Sequence, residues 1–204
     1  MKYEKSVPLA ALRQGELLSN VIETILNLDT IESETQEFTE KVHPYAFVLS
    51  QDCDLDWDFA ARITFDAVHR RIPNVILCEV QSSESSVLQI MEAEGSKTSK
   101  RSRIWSRIMQ NKDERYHFFE VIDACDDLYD ERIGELVIDF KRFFTVPTSE
   151  LYMRILRGET KRRCTLVSPY LEHLSSRFGF FQSRVALPED HESEPGVVKR
   201  LPAD

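Results

Sequence analysis

Four aspartates alternate with Cys53, Leu55 and Trp57 in SQDCDLDWD, residues 50–58, directly after the apolar run YAFVL. In an extended chain a period of two sets Asp52, Asp54, Asp56 and Asp58 on one side, a cage of oxygens for a hard cation. D-x-D-x-D begins like a calcium loop, yet the glycine and glutamate required at its sixth and twelfth positions are Trp57 and Ile63 here. Without them the plain reading is a turn at a strand end, in which one aspartate caps a helix from Phe59 and the others are solvated.

A second arrangement joins the cluster to VILCEVQ, where Glu79 and Gln81 share one side of a strand. An Asp placed before a strand that carries E-x-Q resembles nucleases of the PD-(D/E)XK type. On that resemblance Glu79 and one aspartate, Asp52 or Asp54, hold Mg2+ while the third group, at Gln81, orients a water for phosphodiester attack, with Arg62 or His69 assisting. A third feature lies further on. Lys97, Lys100, Arg101, Arg103, Arg107, Lys112 and Arg115 stand beside Trp105 and Tyr116, a mixture that grips a single nucleic-acid strand by charge and stacking. The same segment also reads as a solvated helix packed through Trp105 and Ile108.

The elements that must carry these groups follow from pattern. A chain of 204 residues with 42% hydrophobic and 30% charged residues is sized and composed for one folded domain. Its apolar runs are too short for a membrane helix, and the N-terminus lacks the h-region of a secretory signal, so a cytoplasmic protein is expected. Cys53, Cys78, Cys125 and Cys164 form no CxxC pair and are expected as reduced thiols, with Cys78 and Cys164 in the core. The net charge of -9 disfavours a protein that coats nucleic acid.

Strands are expected at ELLSNVIETI after a turn at Gly15, with Leu17, Val21 and Ile25 inward, then at YAFVLS, NVILCEVQ, RYHFFEVI, ELVIDFKRFFTV (bent near Lys141 and Arg142) and RRCTLVS. Helices are expected over 59–71, 87–94 and 99–109, from a Thr148 cap to Gly158, and from a Ser168 cap with Pro169 first. The prediction is a single α+β domain over 1–187, with 84–115 as a basic helical insertion and 188–204 as a disordered tail. His117 is read as a strand histidine and His173, on the last helix, as a surface or packing residue.

The order RQGELLSNV, HPYAFVLSQDCD, NVILCEVQSSES, GELVIDFKRFFTVPTSEL and a final amphipathic helix resembles the PemK/MazF-like toxin and growth-inhibitor domains. Gly15 and Glu16 match the opening strand, Val48 to Asp52 the V-x-S-x-D strand, and Ser82 with Ser83 the Thr-Ser end. Phe140 to Leu151 match the later motif. The resemblance implies a bent, mostly antiparallel sheet or small SH3-like barrel with about four helices, a homodimer, and a metal-free ribonuclease of toxin–antitoxin or defence type. It gives Ser82 or Ser83 the hydroxyl role. Where the family has Arg-Pro this chain has His43 and Pro44, so His43 is the candidate acid or base. Arg101, Arg103, Arg107 and Arg115 would grip single-stranded RNA. Against these stands a non-enzymatic module whose acidic face meets a protein partner.

Overall fold

The computed structural model describes residues 2–30, 35, 37–65, 67–86 and 98–184, with the side chains of 98–102 outside that description. The strands are β1 (Tyr3–Lys5), β2 (Glu16–Leu26), β3 (Phe38–Val48), β4 (Asn74–Ser82), β5 (Tyr116–Phe119), β6 (Leu136–Pro147) and β7 (Lys161–Leu166). They form one open antiparallel sheet of seven strands in the order β1-β7-β2-β3-β4-β6-β5. Of the two expected forms, the chain adopts the bent sheet. The helices are α1 (Asp52–Ile63), α2 (Thr98–Met109), α3 (Thr148–Leu156) and α4 (Tyr170–Gln182). No described helix is long and apolar enough to cross a membrane.

Alternating side chains give the sheet two apolar faces. On one, Leu17, Phe47, Cys78, Val80, Ile138 and Phe140 meet Leu174 and Phe178 of α4. On the other, Leu18, Val21, Ala46, Val48, Leu77 and Val146 meet Leu55 of α1 and Leu151 of α3. Over β5, α2 seats Ile104, Trp105 and Ile108 against Phe118 and Val137, with Trp105 edge-on to the Phe118 ring. Arg177 ties α4 to this end, donating to the carbonyls of Asn111, Asp113 and Tyr116.

Two irregularities shape the sheet. Leu18 and Val21 are three residues apart yet share a face, so the alternation of β2 resets between them, at Asn20 with φ 56°. After the reset Ile25, expected inward, is 41% exposed. In β6, Phe143 pairs with Cys78 and Ile138 with Val80, so residues 139–142 stand opposite Glu79 alone. This is the bend expected near Lys141 and Arg142. Gly15 takes φ 72°, and a Cβ there would lie 2.8 Å from Leu171 Cδ1, so the turn before β2 requires glycine.

Several boundaries differ from expectation. The acidic cluster is helical, not extended: α1 starts at Asp52, seven residues before Phe59, and ends at Ile63. A helical period scatters the four carboxylates around the axis, which removes the one-sided cage. Asp52 is held by Arg13, and Asp58 is fully buried, accepting from Arg62 Nε at 2.6 Å and the Ile72 amide at 2.9 Å. Two N-termini also lie one residue off. Pro147 and Pro169 occupy the cap positions of α3 and α4, and the buried Thr148 hydroxyl caps nothing. β3 begins at Phe38 and runs through Pro44, ahead of the strand expected from Tyr45. The helix expected over 87–94 and the tail 188–204 lie outside the described residues. Cys78 and Cys164 are buried, while Cys53 and Cys125 are exposed, and all four thiols are free.

Candidate functional site: a charged cluster at the β6 bulge

β2, β3, β4 and β6 converge on His43. Its ring, 1% exposed, stacks on Phe144 of β6 with centroids 3.9 Å apart. Nε2 lies 3.0 Å from Glu23 Oε2 on β2, and Nδ1 lies 3.7 Å from Glu79 Oε2 on β4, too far for a hydrogen bond. The β2 register partner of His43 is Val21, just beyond the reset at Asn20, which brings Glu23 along the same stretch of strand. Lys41 Nζ bridges the same two carboxylates, 3.8 Å from Glu23 and 3.7 Å from Glu79.

The bulge completes the cluster. Lacking partners on β4, residues 139–142 break the alternation of β6, with Asp139 still paired to Tyr116 of β5 and Phe140 in the core, and turn Arg142 toward Glu79, at 3.5 Å, and toward Asp139, at 4.0 Å. Asp139 accepts from the Lys141 amide at 3.1 Å and from Arg115 Nε at 2.7 Å, while Arg115 Nη2 meets its second oxygen. That two-pronged bond holds the Arg115 guanidinium above its ordinary range, against the opposing effect of partial burial. Bulges are enriched beside functional sites because they re-aim side chains, as this one does.

Three carboxylates, Glu23, Glu79 and Asp139, thus meet three cations, Lys41, Arg115 and Arg142, with a histidine at the centre. The arrangement is balanced in charge, with its three cations partly exposed around the buried imidazole. Its cations are already paired, which leaves little field for a free phosphate. The imidazole is walled off from solvent and cannot touch a substrate in this conformation.

Of the residues expected to act, only His43, Glu79 and Arg115 come together. Ser82 ends β4 and caps the next turn, accepting from the Ser85 amide at 3.2 Å and bonding the Ser85 hydroxyl at 2.9 Å; the Ser83 amide donates to Glu135. The β3–β4 ladder stops at Tyr45 and Val80, short of the point where His43 would face Ser82. Asp52 is occupied at the start of α1 by Arg13, in a two-pronged bond, and by the Gln14 amide at 2.6 Å. Asp54 stands exposed on the same helix, away from Glu79 in mid-strand. Among the described residues no group of three or more His, Cys, Asp or Glu side chains could hold a metal ion. Arg103 and Arg107 lie exposed on α2, with Arg107 3.9 Å from Asp113, and the Arg101 side chain is outside the described residues.

Sequence reasoning missed Glu23, Lys41, Asp139 and Arg142. The one signal that pointed to them was the expected bend at Lys141 and Arg142, since a break in a strand's pairing is where side chains leave the regular pattern. His117 is a buried strand histidine on β5, against Phe119 and 5.3 Å from the ring of His173, which lies exposed on α4, and desolvation and the nearby Arg177 pull both imidazoles below their ordinary range. The sequence matches no protein-family profile, and no curated protein matches it.

Proposed function

We propose that this chain is a PemK/MazF-like module of toxin or defence type that binds single-stranded RNA along α2 and β5 without cutting it. The observation that carries the reading is the division of α2. Ile104, Trp105 and Ile108 face the sheet while Arg103 and Arg107 face water, so two cations are presented to a phosphate backbone from a fixed support. The absence of cutting follows from His43, enclosed by Glu23, Glu79 and Phe144, and from Ser82, whose hydroxyl is engaged in its own turn.

The test is titration of a labelled single-stranded RNA at several salt concentrations, with product gels run in EDTA and in Mg2+. Expected are binding that weakens with salt, no products in either condition, and a salt slope reduced by about 0.7 for each of Arg103→Ala and Arg107→Ala. Cleavage would overturn the non-cutting assignment. Absence of binding at low salt would overturn the RNA assignment.

A second reading, a non-enzymatic protein-interaction module, draws on the exposed apolar side chains Leu28, Phe38 and Val42 around the β2–β3 hairpin and on the outward Asp54 and Asp56 of α1. A basic probe protein retained at low salt but not by an Asp54→Asn/Asp56→Asn variant would favour it.

A further inference from the structure

A separate cleft lies at the other end of β4, between the start of α1 and α4. Its volume is about 420 Å³, within the range of small-molecule sites. Its wall carries four carboxamides, Gln14, Gln51, Asn74 and Gln182, with a single carboxylate, Asp54, and the Phe178 ring. Leu49, Ile72 and Ile76 add apolar surface, and no Lys, Arg or His is among its described lining residues.

The chemistry of that lining is selective. With no cation and one carboxylate, the cleft rejects a phosphate or carboxylate group, and one carboxylate is too few to cage a divalent ion. Carboxamides each offer a donor and an acceptor, which suits a neutral group carrying both. Phe178 and the aliphatic side chains suit a flat, apolar ring face. A nucleobase satisfies all of these conditions. Among the common bases, guanine alone presents two adjacent N–H donors on one edge, the pattern that fits both oxygens of Asp54.

The cleft is built rather than incidental. The Gln14 amide nitrogen donates to the Leu49 carbonyl and the Ser175 hydroxyl, both at 3.2 Å, which fixes one carboxamide across the floor and leaves its oxygen available. Ser50 Oγ accepts from the Ile76 amide at 2.9 Å, locking the β3 end against β4. Asp52, bound to the Gln14 amide, pins the loop that carries Gln14 to α1.

We propose that this cleft binds a nucleobase of the guanine type, with Asp54 accepting the paired N–H donors, the carboxamides meeting the remaining edge and Phe178 flanking the ring. The base could belong to a free nucleoside or to a nucleotide in a single strand, and the assignment stands independently of whether α2 grips RNA.

Titration calorimetry with guanosine, adenosine, cytidine and uridine tests it on the full chain. Guanosine should bind saturably and about tenfold or more tighter than uridine. Asp54→Asn should weaken guanosine about tenfold, since the carboxylate's charge-assisted bonds are lost. Gly179 lines the cleft on α4, and a Cβ built there meets nothing within 4 Å, so Gly179→Leu adds bulk at the cleft wall without a clash at its Cβ and with no cost in helix propensity. It should abolish guanosine binding with an unchanged circular dichroism spectrum. No saturation by guanosine to about 1 mM, equal affinity for uridine, or full binding by a folded Gly179→Leu variant would overturn the proposal. Binding of a short G-containing single strand more tightly than guanosine assigns the base to a strand, and binding no tighter assigns it to a free nucleoside. Loss of strand binding in Arg103→Ala/Arg107→Ala with guanosine binding retained separates this site from the α2 surface.

Discussion

Glu16→Ala should be among the most damaging single changes to this fold, and Asp52→Ala, the loss of a comparable two-pronged pair, should be mild. Glu16 is 0% and the Arg162 side chain 5% exposed. Arg162 Nε and Nη2 donate to the carboxylate at 2.5 and 2.8 Å, and the Arg13 amide adds a third bond at 3.0 Å. Removing the carboxylate leaves a guanidinium in the interior with only the Ala10 and Ala11 carbonyls, at 2.7 and 2.8 Å, as partners. Breaking a buried pair from one side costs about 3–5 kcal/mol, a large part of the stability of an ordinary domain. For a chain of this size that lowers Tm by about 6–20 °C. In the Arg13–Asp52 pair the side chains are 48% and 29% exposed, so solvent screens the attraction and rehydrates the survivor. Its loss, including the Gln14 amide bond, should cost about 1 kcal/mol. Urea unfolding of the two variants, read at constant m, gives both numbers. A Glu16→Ala cost no greater than that of Asp52→Ala would refute the assignment of Glu16 as a buried counter-ion. Replacing both partners, Glu16→Leu with Arg162→Leu, should recover part of the loss, because no uncompensated charge then remains.

His43→Ala should act on stability rather than on chemistry: truncating a buried ring stacked on Phe144 costs about 3 kcal/mol, while RNA affinity stays within about twofold of the parent. A folded variant that loses affinity tenfold would return His43 to the binding site. Stability should also fall in mild acid through His117. The folded state holds this imidazole neutral, by burial and by the nearby Arg177 and His173, whereas the unfolded chain protonates near pH 6.5, so the unfolded state binds more protons below that point. The unfolding free energy therefore drops as pH falls from about 7 toward 5, by at most about 1.4 kcal/mol per pH unit for this group. Lys2, Tyr3, Glu120 and Tyr170 share the small cavity with it, and Glu120 is already engaged by Lys2, so no carboxylate there is free to stabilise the imidazolium. Chemical denaturation across that range should show a shallower slope in His117→Phe; equal slopes in variant and parent would refute the assignment.

The sheet was legible because its strands are short apolar runs with two-residue alternation, a local property. NVILCEVQ and ELVIDFKRFFTV became strands in the expected place, down to the bend at Lys141 and Arg142, while of RYHFFEVI only Tyr116–Phe119 is strand. The acidic cluster was not legible, for a reason that is also physical. D-x-D-x-D alternates like a strand, but Leu55 and Asp58 are three apart and both buried, and that spacing belongs to a helix. A buried aspartate breaks the rule that burial tracks hydrophobicity, and only its partners at Arg62 and Ile72 explain it. The same limit hid the arginines of β7. Arg162 and Arg163 are consecutive, so they point to opposite faces, and each is buried against a carboxylate distant in sequence, Glu16 and Asp127. Nothing in KRRCTL announces those partners. The candidate site follows the same logic, since Glu23, Lys41, Glu79, Asp139 and Arg142 come from four strands and meet only because β2 resets at Asn20 and β6 bulges opposite Glu79. Ion pairs of this kind cancel one for one, so the net charge of -9 is carried by the remaining groups. Glu16, Asp58, Asp127 and Asp139 are neutralised by arginines within the fold, so the charge a ligand meets is set by exposed groups such as Asp54 at the cleft and Arg103 and Arg107 on α2.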